Sequence, residues 1–225
     1  IHIGKPIQMD EEKFLKQLNI SVTAYAKSIG PVEISPERMD LSEIQNNRFC
    51  FPDAEAAKEA ESYLDQKIAE CDSVGGVVEC VISGLPVGLG EPVFEKLDAN
   101  LAKAILSIGA VKGFEIGDGF AATKACGSEN NDEFRMDGDK IVKETNHAGG
   151  VLGGISDGSD VIFRAAFKPT PSIAKSQETV TKDGENIDLV IHGRHDPVVV
   201  PRAVVVVESM AAITAMDMLL MSMPS

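Results

Sequence analysis

Basic residues are scarce in this chain: 21 Lys and Arg stand against 35 Asp and Glu over 225 residues, giving a formal net charge of -14. A protein that grips nucleic acid needs Lys and Arg to displace counterions from phosphates, so the charge balance argues against such a partner. The same scarcity means that an anion site has to concentrate the few cations, and Lys168, Arg194 and Arg202 are the candidates. Cysteine is sparse as well. Cys50, Cys71, Cys80 and Cys126 show neither C-x-x-C spacing nor the density of a disulfide scaffold, a pattern that fits free thiols in a reducing cytoplasm. Cys50 and Cys80 sit among apolar neighbours and read as small core hydrophobes. No basic, apolar, small-residue leader of the secretory type occurs, and the first residue is Ile1 rather than Met, as in a processed, excised or incompletely represented chain. A long apolar run free of charge is also missing: Val198 to Met221 carries Arg202, Glu208 and Asp217, which are costly in a bilayer. The expectation is a cytoplasmic protein with no membrane partner.

With 44% apolar residues, the chain can bury a sizeable core, and a single domain over residues 1–225 is expected. Asp10 to Leu18 reads as a short polar helix, and Ile20 to Ser28 as a strand ended by Gly30 and Pro31. Asp53 is a credible N-cap for an exposed helix that runs to Cys71. Gly75 to Gly84 alternates as a strand, Phe94 to Ile108 spaces Leu97, Leu101, Ile105 and Ile108 at helical intervals, and Ala110 to Ile116 is another strand. Ser128 to Thr145, rich in Asn and Asp, reads as a mobile or ligand-covering loop. Gly150 to Ser156 and Val161 to Phe167 follow as strands, and Asp183-Gly184 marks a hairpin turn within Thr181 to Ile191. Arg202 to Met221 is too long for a typical strand and reads as a helix buried on most of its circumference. Gly75-Gly76 and Gly149-Gly150 each open strands that lead to an apolar helix, a weak internal echo.

The chemistry concentrates between Lys168 and Glu208. Pro169 and Pro171 keep Lys168 to Ser172 out of helix and paired strand, so this connector presents an ammonium, the hydroxyls of Thr170 and Ser172, and backbone donors to an anion. Arg194, His195 and Asp196 follow where irregular backbone meets an apolar element, a common setting for a functional site. The plain alternative is that Arg-x-Asp forms a solvated ion pair worth ~0–1 kcal/mol. The G-G-x-x-G-G spacing from Gly149 is not the dinucleotide fingerprint, which excludes a Rossmann site. His192, His195 and His147 lack a completing acidic or Cys cluster, so no metal is expected.

Four ordered segments carry a resemblance: IGAVKGFEIGDGF from Ile108, TNHAGGVLGGISDG from Thr145, FKPTPSI from Phe167 and GRHDPVVVPRAVVVVESM from Gly193. Together they resemble the central and C-terminal signatures of the chorismate synthase family. The resemblance implies an α+β fold, a layered sandwich of helices between antiparallel sheets, assembled as a homotetramer. It implies conversion of 5-enolpyruvylshikimate-3-phosphate to chorismate and phosphate by a 1,4-anti elimination that needs reduced FMN without net redox change. By resemblance, Gly109, Ala110 and Gly153 approach the flavin through backbone, while Lys168, Pro169, Thr170, Pro171 and Ser172 hold its phosphate and ribityl chain. Arg194 matches a flavin-contacting arginine and Asp196 an aspartate near flavin N5, where a carboxylate manages a proton. For His147 and His195, structural hydrogen bonding and proton transfer both stand open. Whether the flavin is reduced by NADPH on the same protein is not written in these motifs.

The sequence enters the family pattern only near Phe14, and the family's Gly-Glu-Ser-His-Gly-type block with its catalytic histidine, and the arginine-rich segments after it, are not in it. The expectation is therefore little or no lyase activity from this polypeptide alone. The alternative from a different class is a catalytically silent core that self-associates and at most binds flavin weakly.

Overall fold

The structure, a computed structural model, describes residues 13–193 and 196–223, with Lys140 by its backbone alone. Residues 13–17 are helical, and the chain then forms β1 (Ser21–Ile29) and β2 (Val32–Glu33), an antiparallel pair turned at Gly30, whose φ is 55°. Helix α1 (Ala54–Ala69) leads to β3 (Gly76–Ser83), α2 (Leu97–Leu106) and β4 (Val111–Ile116). A short helix α3 (Gly127–Asn130) precedes β5 (Phe134–Asp137), β6 (Lys140–Lys143), β7 (Val151–Leu152), β8 (Ile155–Ser156) and β9 (Val161–Phe167). The chain closes with β10 (Gln177–Val180), β11 (Asn186–Leu189) and α4 (Val200–Ser222). Helices and antiparallel strands mix throughout, the α+β class that the sequence implied. The main sheet has the order β2-β1-β3-β9-β4.

Two compact units interleave along the chain: residues 13–24, 79–165 and 205–223 make the first, and Tyr25–Val78 with Ala166–Val204 the second. Strands β1, β3 and β9 and helix α4 each contribute residues to both. In the first unit, Leu97, Leu101 and Ile105 recur every four residues on one face of α2 and are fully buried, each contributing about 1.5–3 kcal/mol of burial free energy. Helix α2 packs on β4, and Phe114 of β4 stacks on Phe163 of β9 with ring centroids 5.3 Å apart. Glu208 of α4 accepts a 2.9 Å hydrogen bond from the Ala24 amide of β1. In the second unit, α1 packs against β2 and buries Ala56, Ala57, Ala60 and Leu64. Asp53 caps α1 as expected, accepting from the amides of Glu55 and Ala56 at 3.0 and 3.1 Å.

Most elements fall where periodicity puts them, and four expectations change. The stretch Ser128 to Thr145 is not a loop: it holds α3 and the β5–β6 hairpin, with Asp137 facing Lys140 across the turn. Gly150 to Ser156 is not one strand but the β7–β8 hairpin, because Gly153 and Gly154 both take positive φ, 63° and 92°, and turn the chain in two residues. Helix α1 is exposed on one side only. Helix α4 buries a stripe through Val207, Ala211 and Ala215 but exposes Val205, Val206, Ile213 and Leu220, so its apolar circumference is only partly covered within the chain. By length and composition α4 matches a membrane span, a test that core helices of globular folds also pass. Cys80 is buried and Cys50 half-buried, its Sγ donating to Pro201 O at 3.9 Å.

Candidate functional site

The connector after β9 is shaped by what lies under it. At Gly75 a Cβ atom would overlap the carbonyl oxygen of Phe167 and stand 3.2 Å from the Pro169 ring, so only glycine lets the Lys168 segment seat there. Two residues earlier, Ser73 Oγ donates to Thr170 O at 2.6 Å. The Ser73 amide in turn donates to Asp72 Oδ1 at 2.8 Å, while Asp72 Oδ2 pairs with Lys175 Nζ at 2.5 Å. The Lys175 hydrogen bond, with that from the Ser73 amide, holds the Asp72 carboxyl below its ordinary range.

The second cluster reaches the same stretch. Val74 N donates to Pro197 O at 2.8 Å, and Val74 forms a parallel bridge with Val198. Asp72 to Gly75 thus anchors both segments that the sequence nominated, the connector through Ser73 and the residues after Asp196 through Val74.

 Asp72 itself stays on the surface side of this anchor, tied to Lys175.

Thr170 carries the most informative atom of the region. Its Oγ1 is buried and, among the described residues, is the side-chain polar atom in such a position without a hydrogen-bond partner. A buried hydroxyl left unpaired costs about 1–3 kcal/mol, so Oγ1 calls for a polar partner, whether a water or a ligand oxygen. Lys168 is half-buried beside it in sequence, and Ser172 is half-buried two residues on. Asp196 pairs with the Arg202 guanidinium of α4, on a surface that leaves both side chains largely exposed. Arg194 and His195 lie outside the described residues.

The three backbone candidates sit in the first unit. Gly109 and Ala110 form the turn between α2 and β4; a Cβ at Gly109 would meet nothing within 4 Å, and Ala110 takes a left-handed φ of 71°. Gly153 is at the tip of the β7–β8 hairpin, also with open space around it, whereas the neighbouring Gly154 packs against Lys96. These glycines therefore expose backbone without being forced to by packing.

Sequence reasoning missed a buried polar knot behind that hairpin. Lys143, Asp132 and Asp157 form it, and Asp132 also accepts from the backbone amides of His147 and Ala148 at 2.7 and 3.0 Å. Asp132 and Lys143 fell in a stretch read as a polar loop and Asp157 in a turn between strands, where nothing signalled burial. His147 Nδ1 lies 2.7 Å from Asp118 Oδ2, and its imidazole lines a groove of about 810 Å³ with Phe114, Phe120 and Lys96. A second cavity of about 820 Å³, lined by Val87, Phe134, Ile141, Leu152 and Ile155, is largely apolar. No group of three His, Cys, Asp or Glu placed to hold a metal occurs among the described residues.

A family model described as chorismate synthase matches residues 11–220. The chain belongs to the chorismate synthase family. It is 63% identical to a chorismate synthase of Agathobacter rectalis over 211 residues, covering 94% of this chain and 58% of that protein. A chorismate synthase of Lachnoclostridium phytofermentans is 61% identical over 212 residues, again with 94% of this chain and 58% of the relative covered. A solved structure of a chorismate synthase superposes with a TM-score of 0.79 at 30% identity, covering 96% of this chain and 61% of that one. The chain thus spans a little under three fifths of the length of these curated chorismate synthases.

Proposed function

We propose that this chain carries the flavin-binding core of a chorismate synthase, a carbon-oxygen lyase of the shikimate pathway that converts 5-enolpyruvylshikimate-3-phosphate to chorismate and phosphate. The observation that carries the reading is the buried, unpartnered Thr170 Oγ1, in a connector seated on Gly75 and held by Ser73. A hydroxyl in that condition, next to the Lys168 ammonium and the Ser172 hydroxyl, suits the phosphate and ribityl oxygens of FMN. The residues present therefore fit the cofactor at its phosphate end.

Reduced FMN, when bound, supplies the electron density that assists departure of the substrate's phosphate and takes up hydrogen at N5. Lys168, Thr170 and Ser172 bind and orient the phosphate end. Arg194 pairs bidentately with oxygen acceptors, and Gly109, Ala110 and Gly153 offer backbone where a side chain would block a planar ring. Asp196 would accept a proton beside the flavin, and its ion pair with Arg202 keeps the carboxylate ionised and oriented. The protein acts as a cytoplasmic homotetramer on a small-molecule substrate.

One observation favours a second reading for the 225-residue polypeptide by itself. It spans 58% of the length of the relatives it matches, so groups that those relatives carry elsewhere are not among its residues. On this reading the isolated polypeptide self-associates and binds flavin weakly but turns over little. Chorismate formation measured with chemically reduced FMN separates the two: robust turnover supports the first, and flavin binding without turnover the second. Loss of the flavin reading altogether is reported by a fluorescence titration in which FMN shows no affinity, or none that depends on its phosphate.

A further inference from the structure

Lys143 is a buried ammonium with no part in the chemistry above. Its side chain is 2% exposed, and Nζ donates to Asp157 Oδ2 at 2.7 Å, Asn146 Oδ1 at 3.1 Å and Asp132 Oδ2 at 3.2 Å. Those three bonds use every donor that an ammonium has, so this lysine is neither a free nucleophile nor a ligand-binding cation. Asp132, 3% exposed, accepts four hydrogen bonds in all: from Lys143 and Ala148 N on Oδ2, and from His147 N at 2.7 Å and Thr145 Oγ1 at 2.8 Å on Oδ1. Burial alone would raise its carboxyl; the amides of Ala148 and His147, with Thr145 and Lys143, outweigh burial and hold it far below the ordinary range. Asp157 receives the Ser159 amide at 2.9 Å, and Asn146 receives the Gly150 amide at 2.8 Å.

These partners stand on either side of one element. Asn146 to Gly150 leads into β7, and Asp157 to Ser159 leads out of β8, so a single ammonium ties both ends of the β7–β8 hairpin together. Two residues per strand cannot hold such a hairpin on their own. Its tip is fixed at one further point, where Gly154 O accepts from Leu97 N of α2 at 2.8 Å. At the base, Ser156 of β8 is bound to Pro86, Gly88 and Leu89, and Lys143 adds the tie that joins the β7 side to the β8 side.

We propose that Lys143 is a positioning residue, whose bonds to Asp132, Asn146 and Asp157 aim the Gly153 backbone at the ring of the bound flavin. The proposal rests on the reading above in one respect, that Gly153 contacts the flavin. A ligand site depends on such outer supports because the contacting atoms have to be held before the ligand arrives.

The test compares Lys143→Met with the unaltered chain by fluorescence titration against FMN and against lumiflavin, which keeps the ring and lacks the ribityl phosphate. Both dissociation constants rise by a common factor of roughly 10, the scale on which loss of an outer support weakens other ligand sites. Lys168→Ala, acting on the phosphate, weakens FMN and leaves lumiflavin unchanged. Amide hydrogen exchange in the apo protein speeds up at His147, Ala148 and Gly150 but not in α2. Should Lys143→Met fail to fold, Asp157→Asn carries the test, since it keeps the ammonium and loosens one of its three bonds; the same parallel weakening is expected at smaller size. If the unaltered chain binds neither flavin, the flavin reading itself falls and this proposal with it. If it binds both and the folded variants bind both equally well, or lose FMN alone, the flavin reading stands and the positioning role is overturned.

Discussion

Replacing Asp53 by Asn removes one charge from a site that is closed to water, and the size of the effect follows from its partners. The carboxylate is 1% exposed. Its Oδ1 accepts from the amides that open α1, its Oδ2 accepts from Ser35 N at 3.0 Å, and Arg38 Nη2 stands 2.9 Å from Oδ2. Burial would raise the carboxyl, but the Arg38 guanidinium and the amides of Ser35, Ala56 and Glu55 prevail and lower it from 3.8 to about 2. That fall corresponds to about 2 kcal/mol of folding stability. Because the folded value is the depressed one, the contribution is complete above the unfolded value near 3.8 and disappears as pH falls through about 2. An asparagine also turns an NH2 group towards donors, so Asp53→Asn is expected to cost about 2–4 kcal/mol at pH 7. At roughly 2–4 °C per kcal/mol for a chain of this size, the midpoint of thermal unfolding drops by about 4–16 °C. Circular dichroism melts at pH 7 and at successively lower pH follow the gap between the two proteins, which should narrow below pH 4. A gap that stays constant down to pH 2, or no gap at pH 7, would refute the reasoning.

Three other outcomes follow from the same structure. Thr170→Val removes the unpartnered hydroxyl at nearly constant volume, so the apo protein melts at the same temperature or higher while its affinity for FMN falls by roughly 5- to 10-fold, the loss of about one hydrogen bond; a variant that binds FMN as well as before places the phosphate elsewhere. Gly75→Ala forces a Cβ into Phe167 O and lifts the connector, so FMN titration and melting temperature both decline, and an unchanged pair of values contradicts the close packing. Leu101→Ala, in the core of α2, costs about 2–5 kcal/mol in denaturant unfolding, with a folded-state flavin affinity that does not move.

Local signals reported the regular elements well. The Asp53 cap, the fourfold spacing of Leu97, Leu101 and Ile105, and the Asp183-Gly184 turn each reflect a cause contained within a few residues, and each element formed. The candidate site was legible only to the extent that its residues declare their chemistry by type, as Lys168, Thr170 and Asp196 do. What holds them was hidden, because Ser73 and Val74 act on Thr170 and Pro197, partners about 100 residues or more away in sequence. The knot around Lys143 was invisible for a related reason: Asp132 and Lys143 look like surface residues until the fold supplies Asp157 and the amides of His147 and Ala148. Polarity in a sequence does not distinguish a solvated loop from a buried network in which every donor has an acceptor.

The bond between Ala24 and Glu208 joins groups 184 positions apart. A ribosome adding roughly 5–20 residues per second spends about 10–40 s between the two. Throughout that interval the amide of an early strand has no carboxylate to meet, and the first unit lacks the helix that fills its interior. Closure of this unit therefore waits until Glu208 has been made, however early its first strand forms.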